Sequence, residues 1–94
     1  MFNKMPLSQP ELLRHVNQEI ENLWLSRLRP DDELPVVCEC SDPACALVVS
    51  APLAVFQEAV ADGLFLVIAG HLIDGCEPVR NDGGWELLAA GEGR

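Results

Sequence analysis

The segment from Cys38 to Cys45, which reads CECSDPAC, places three of the chain's four cysteines within eight positions. Cys38 and Cys40 project to the same face of an extended backbone, but the strand rise holds them apart. The chain must therefore turn near Cys40, and residues 41–43 (Ser-Asp-Pro) are suited to such a turn. We expect the turn to bring Cys45 beside the other two thiols. The resulting knuckle, defined as residues 38–45, would point backbone N–H groups at sulfur.

A structural tetrahedral zinc site needs four donors, and the knuckle supplies three. His71 follows an apolar run and Gly70, at a point where a strand is expected to end and the chain can turn toward the knuckle. Cys76 is the alternative fourth ligand. Three thiolates with one imidazole and four thiolates are both ordinary structural zinc sets, so the residues alone leave the choice open. We predict one Zn²⁺ per chain.

Three other uses of the cysteines compete with zinc. Free cysteines are often small buried hydrophobes, and two of them could instead form a disulfide. An iron–sulfur cluster is the third possibility. The spacing is a weaker signal than a doubled CxxC and a stronger one than a single CxxC, and it favours zinc.

The 94 residues are enough for one domain, residues 1–94, with ends at 1–7 and 90–94 that we expect to fray. A chain this short buries a modest part of its surface, so a bound metal would contribute materially to its stability. Its hydrophobic content of 49% still allows a real core.

The first residues lack the apolar segment of a secretory signal, and we expect a cytoplasmic protein. In that compartment clustered cysteines favour metal or redox chemistry over structural disulfides.

The formal charge of −9 is unevenly distributed. Residues 1–30 carry four basic and three acidic side chains, a net +1, whereas residues 31–94 carry two and twelve, a net −10. Such a surface repels phosphate backbones, which argues against direct nucleic-acid binding. It suits a basic protein partner or simply solubility. No segment is long and apolar enough to predict membrane insertion.

The N-terminal region predicts a long amphipathic helix. Ser8 and Glu11 form a capping box with Pro10 in the first turn, and Leu7 and Leu12 occupy staple positions. Pro30 should end the helix near residue 28. Apolar residues recur at helical spacing along an apolar stripe, defined as Leu12, Leu13, Val16, Ile20, Leu23, Trp24 and Leu28. We expect this stripe to pack on the domain's own sheet, and His15, Asn17 and Gln18 to be solvated.

The remaining elements predict an α+β fold: a long N-terminal helix, the knuckle, and a small, mostly antiparallel sheet of three or four strands crossed by one short helix. Residues 46–49 suggest a short buried strand, and Ser50 is a candidate N-cap for a second helix that Gly63 ends. Residues 64–69 are continuously apolar, which suggests a central strand. Residues 77–89 suggest a hairpin with its turn at 81–84.

The chain resembles a family of small uncharacterised bacterial proteins that is common in actinobacteria. The resemblance lies in the CEC-x4-C segment at 38–45, the Gly-His pair at 70–71, Glu77-x-Val79, and the Asn-x-Glu motif at 17–19. It implies Cys38, Cys40, Cys45 and His71 as the recurring ligand set. Val55-Phe56 replaces the family's usual Glu-Tyr pair, and Cys76 is an additional thiol. The family has no assigned activity.

The function that these residues indicate is a small acidic protein with structural zinc, acting as a protein-interaction or regulatory module. A thiol and zinc redox switch, with Cys76 as the extra thiol, is the alternative. A metal-dependent enzyme is less expected, because four good ligands close the metal shell. Glu39 should point away from the neighbouring sulfurs, and there is no HExxH motif, Ser/His/Asp grouping or glycine-rich phosphate loop. We therefore assign no catalytic residue.

Overall fold

The computed structural model describes residues 8–90, so Leu7 of the predicted staple and most of the two predicted frayed ends lie outside the described residues. The fold is α+β, as predicted, with two helices and two small antiparallel sheets. The elements follow in the order α1 (Gln9–Trp24), β1 (Glu33–Val37), β2 (Val48–Pro52), α2 (Leu53–Asp62), β3 (Phe65–Ile68), β4 (Cys76–Asn81) and β5 (Trp85–Ala90).

Helix α1 begins as the sequence predicts. The Ser8 hydroxyl accepts from the Glu11 N–H, the Glu11 carboxylate accepts from the Ser8 N–H, and Pro10 lies in the first turn. The helix ends earlier than expected, at Trp24, and the chain continues in turns before Pro30. Neither of the helices described between residues 8 and 90 is long and apolar enough to cross a bilayer.

The predicted single sheet is instead two sheets. Strands β1 and β2 pair antiparallel, with Val36 opposite Val49, and the other sheet has the order β3-β5-β4. The predicted hairpin is present as β4 and β5, with Gly83 of its turn at a positive φ of 86°. Ala90, which we expected to fray, is paired with Cys76 at the end of β5.

Two strand predictions were wrong. Strand β3 lies at one edge of its sheet, and β5 is the central strand. The free edge of β3 is nevertheless occupied, because Glu39 N donates to Leu66 O at 3.0 Å. The predicted buried strand at 46–49 starts later, at Val48, and only one of its four residues, Val49, is buried.

Helix α2 covers the core and ends where expected. Its first helical residue is Leu53, with Pro52 at the N-cap position in place of the predicted Ser50, which belongs to β2. Gly63 caps the C-terminus with a left-handed φ of 71°. The core is formed by buried apolar side chains from β1, β2, α2, β3 and β5, together with Cys38, Cys40 and Ile73. Cys38 and Cys40 of the knuckle therefore belong to the core, and Cys45 packs against it.

Helix α1 packs only in part as we expected, because Ile20 and Leu28 of the apolar stripe pack against the core whereas other residues of the stripe do not. Four residues of the apolar stripe are largely exposed: Leu12 at 53%, Val16 at 42%, Leu23 at 75% and Trp24 at 42%. Asn17, which we expected to be solvated, is fully buried. The face of the helix turned toward the protein therefore combines the buried Asn17 with the apolar Ile20, and much of the apolar stripe lies in solvent.

Candidate metal centre

The knuckle folds through the turn that the sequence predicts. The Asp42 carboxylate accepts from the Ala44 N–H at 2.9 Å, and the Asp42 carbonyl accepts from the Cys45 N–H at 3.0 Å. The amide of Gln9 donates to the Asp42 carbonyl at 2.9 Å, so the first turn of α1 supports the same loop. These bonds bring Cys45 back toward Cys38 and Cys40.

A second turn delivers His71. Strand β3 ends at Ile68, and the His71 N–H donates back to the Ile68 carbonyl at 2.9 Å. Gly70 sits between them with a φ of 92°, a conformation that side-chain-bearing residues rarely adopt. The glycine before the histidine is thus a requirement of the turn that directs the imidazole toward the knuckle.

The four predicted residues come together. One ligand atom from each of Cys38, Cys40, Cys45 and His71 lies within 4.8 Å of the other three. The Nδ1 atom of His71 is 3.5 Å from the Cys38 sulfur and 3.6 Å from the Cys45 sulfur. Cys76, the alternative fourth ligand, lies at the start of β4 and is not a member of this group.

These distances fit a tetrahedral ion. With metal–sulfur bonds of about 2.3 Å and metal–nitrogen bonds of about 2.0 Å, tetrahedral geometry places sulfur and nitrogen about 3.5 Å apart. Both sulfur–nitrogen distances in the cluster agree with that value. The cluster is therefore compatible with a metal site in which His71 binds through Nδ1.

Backbone amides surround the sulfurs, as the knuckle prediction requires. The Ile68 N–H donates to the Cys38 sulfur at 3.2 Å, and the Cys40 N–H also bonds this sulfur. The Asp42 N–H bonds the Cys40 sulfur. Such bonds stabilise thiolates, which are the form of cysteine that binds metal.

Burial acts in the opposite direction when no ion is bound. It raises the pKa of the Cys38 thiol to about 12, despite the hydrogen bonds from Ile68 and Cys40. Burial also raises the pKa of Cys40. A cation is the natural compensation for negative sulfur at such a place, because metal binding displaces the thiol protons.

One side of the centre faces solvent. Cys38 and Cys40 are buried, whereas Cys45 and His71 are half-buried. A cleft of about 390 Å³ adjoins Cys40 and His71, and Asp42 and Asp74 also line it. Small solutes can therefore approach the centre from this side.

Glu39, between two of the candidate ligands, points away from the sulfurs as expected, but it is not solvated. Its side chain is fully buried and receives hydrogen bonds from Arg14, Asn17 and the Leu66 amide. Sequence reasoning missed this set. The available signal was the spacing of Arg14 and Asn17, which places both on one face of α1, although such pairs are usually solvated.

No protein-family model, curated protein or solved structure matches the chain. The resemblance to the small actinobacterial proteins therefore remains a prediction.

Proposed function

We propose that this protein is a structural zinc-binding protein in which Cys38, Cys40, Cys45 and His71 hold one Zn²⁺. The observation that carries the proposal is the match between the two sulfur–nitrogen distances and a tetrahedral ion. Three thiolates with one imidazole are an ordinary closed zinc set, and soft sulfur ligands disfavour calcium and magnesium.

The ion would contribute directly to folding. The knuckle and the turn at Gly70 belong to different parts of the chain, 26 to 33 residues apart by the Cys45 and Cys38 contacts with His71. One ion bound at both ends of that stretch would join the two ends in the folded state but not in the unfolded chain. Zinc-binding free energy is then folding free energy, as in other small zinc proteins.

Cobalt substitution tests the ligand set. Co²⁺ bound to three thiolates and one imidazole in a tetrahedral site should give intense visible d–d bands and sulfur-to-metal charge transfer at one ion per chain. His71→Asn should weaken binding and change the spectrum, whereas Cys76→Ser should do neither. An octahedral, weakly coloured complex would contradict the proposal.

The biological role that we propose is that of a protein-interaction module, with α1 as its contact surface. Leu12, Val16 and Leu23 form a solvent-facing row on this helix, at four- and seven-residue spacing. Exposed apolar side chains in one row of a helix, here with the exposed Glu19 between Val16 and Leu23, are typical of an amphipathic helix that binds in a partner's groove. Glu11, Glu19 and Glu21 of α1 favour a partner that has a basic border around an apolar groove.

A paired capture experiment tests this role. Proteins from the source cell should be retained by the wild-type chain and lost with Val16→Glu, while the matched control Val79→Glu retains them. Val79 is a suitable control because it is also an exposed apolar residue, at 56%, but lies on β4. Equal recovery by all three chains would contradict a role for the helix face.

The solvent-facing cleft supports a second candidate, a redox switch. An oxidant that enters beside Cys40 and His71 would meet thiolates that are close enough to pair with one another. Oxidation of two thiolates by peroxide forms one disulfide, reduces the peroxide to water or hydroxide, and removes two ligands from the ion. Zinc release together with one defined disulfide would favour this candidate; zinc retained under mild peroxide would exclude it.

A further inference from the structure

The strongest buried polar cluster in residues 8–90 surrounds the Glu39 carboxylate. Extended backbone alternates its side chains, so Cys38 and Cys40 project to one side of the knuckle and Glu39 to the other. Glu39 has no exposed surface. A carboxylate buried so completely is stable only when its oxygens are paired.

The Glu39 carboxylate is fully hydrogen-bonded, and its donors come from two separate elements, α1 and β3. Arg14 of α1 binds the carboxylate with two nitrogens, Nε to Oε2 at 2.9 Å and Nη2 to Oε1 at 2.8 Å. The Asn17 amide donates to Oε2 at 2.8 Å, and the Leu66 N–H of β3 donates to Oε1 at 2.7 Å. Four donors therefore fix one side chain in position and orientation.

The partners of Glu39 are themselves held. The Arg14 guanidinium lies 5.3 Å from the ring centres of both Phe56 and Phe65 and also donates to the Leu64 carbonyl. The Asn17 amide makes two further bonds of 2.8 Å, one to the Val37 carbonyl and one from the Val37 N–H. The cluster of Arg14, Asn17 and Glu39 thus joins α1 to the residues on either side of Cys38.

We propose that Glu39 is a positioning residue of the metal centre, and that its contacts with Arg14 and Asn17 couple metal binding to the docking of α1. This inference rests on the proposed zinc site. Because Glu39 lies between Cys38 and Cys40, fixing its side chain fixes the backbone from which both thiolates project. Coupling of two binding events is reciprocal, so bound metal strengthens the docking of α1 by the same factor.

Metal affinity of Glu39→Gln in the full chain tests the positioning role. Gln keeps the size of the side chain but removes the charge that Arg14 binds. Residues that orient metal ligands typically change affinity by about 10- to 100-fold, and we expect a loss of zinc affinity in that range. Competition with a chromophoric chelator measures it. Glu58→Gln is the control, since Glu58 forms an exposed ion pair with Arg80, and it should match the wild type.

A cobalt spectrum separates positioning from simple loss of stability. Saturated Glu39→Gln should still bind one Co²⁺, but with shifted or broadened d–d bands, because the two thiolates are less well fixed. Arg14→Lys keeps the positive charge and loses the two-nitrogen contact, so it should show a smaller shift. It also provides a test if Glu39→Gln does not fold. Zinc affinity within twofold of the wild type for both variants would overturn the proposal.

Hydrogen exchange tests whether bound metal strengthens the docking of α1. Zinc added to the wild-type chain should slow exchange of α1 amides, and this slowing should be reduced in Glu39→Gln. Protection of α1 that is equal with and without metal would overturn the coupling. A wild-type chain that binds no zinc would instead overturn the proposed function itself, so the two failures are distinguishable.

Discussion

The two faces of α1 depart from the usual amphipathic arrangement. The face turned toward the protein carries Arg14 and Asn17, which hold Glu39, whereas the solvent face carries Leu12, Val16 and Leu23. Burying an apolar side chain is worth about 1.5–3 kcal/mol, so exposing three of them forgoes a substantial stabilisation. The orientation of this helix is therefore determined by its polar contacts with the knuckle and β1.

The polar residues on the inward face of α1 provide hydrogen-bond partners for backbone groups at the end of β1. Val37 is the last residue of β1, and its backbone groups on the side opposite β2 are satisfied by the Asn17 amide, which both donates and accepts. Among residues 8–90, no buried side-chain nitrogen or oxygen lacks a hydrogen-bond partner. A helix rotated to bury its apolar stripe would break these bonds and leave a buried carboxylate unpaired, which is strongly destabilising.

Among substitutions that test this difference between the two faces of α1, Arg14→Met should cause the largest loss in the free energy of unfolding. Removing the cation leaves the buried Glu39 carboxylate without its charge partner, and such changes cost about 3–5 kcal/mol. Urea unfolding of the zinc-loaded protein measures the loss. The matched variant Arg80→Met removes an exposed ion pair and should cost no more than about 1 kcal/mol. Equal losses for the two variants would show that the buried pair has no special role.

Asn17→Leu should have the next largest effect. It makes the inward face of α1 apolar but leaves the Val37 N–H and carbonyl without their side-chain partner. Unsatisfied buried groups cost about 1–3 kcal/mol, and we expect a loss in that range by chemical denaturation. The neighbouring substitution Gln18→Leu is the control for added apolar character. A chain stabilised by Asn17→Leu would contradict the view that polar contacts orient α1.

Substitutions on the solvent face should have the smallest effect on folding. Leu23 is 75% exposed, so Leu23→Ser should change the free energy of unfolding by less than about 0.5 kcal/mol. Leu34→Ser, at a fully buried position of β1, is the contrasting variant and should be strongly destabilising. A large loss for Leu23→Ser would mean that the helix face is covered within the chain.

The periodicity of α1 predicted its existence and start, but only part of the predicted apolar face is buried. Hydrophobic spacing identifies which residues share a face, and it assumes that the apolar face is the one that packs. In this protein the Glu39 carboxylate also draws polar residues of α1 toward the protein. Its partners Arg14 and Asn17 lie 25 and 22 positions away in sequence. Such a pairing between distant polar residues leaves no local pattern in the chain.

The cluster of the candidate metal centre was more predictable because its geometry is mostly local. The spacing of Cys38, Cys40 and Cys45 and the turn residues between them predicted the knuckle, and Gly70 predicted the turn before His71. The resemblance to the small bacterial family, more than the residues themselves, favoured His71 over Cys76. Strand β3 was predicted to be central but lies at the edge of its sheet. This position could not be predicted, because the free edge of β3 is covered by a backbone contact from Glu39 of the knuckle, which leaves no pattern in the sequence.

Metal content of the natively purified protein tests the central claim most directly. Native mass spectrometry of protein prepared without chelator should show one zinc ion per chain, and Cys40→Ser should lose both the ion and the cooperative unfolding transition. A wild-type chain that is folded and free of metal, with Cys40→Ser equally stable, would contradict the claim and leave these cysteines as core or redox thiols.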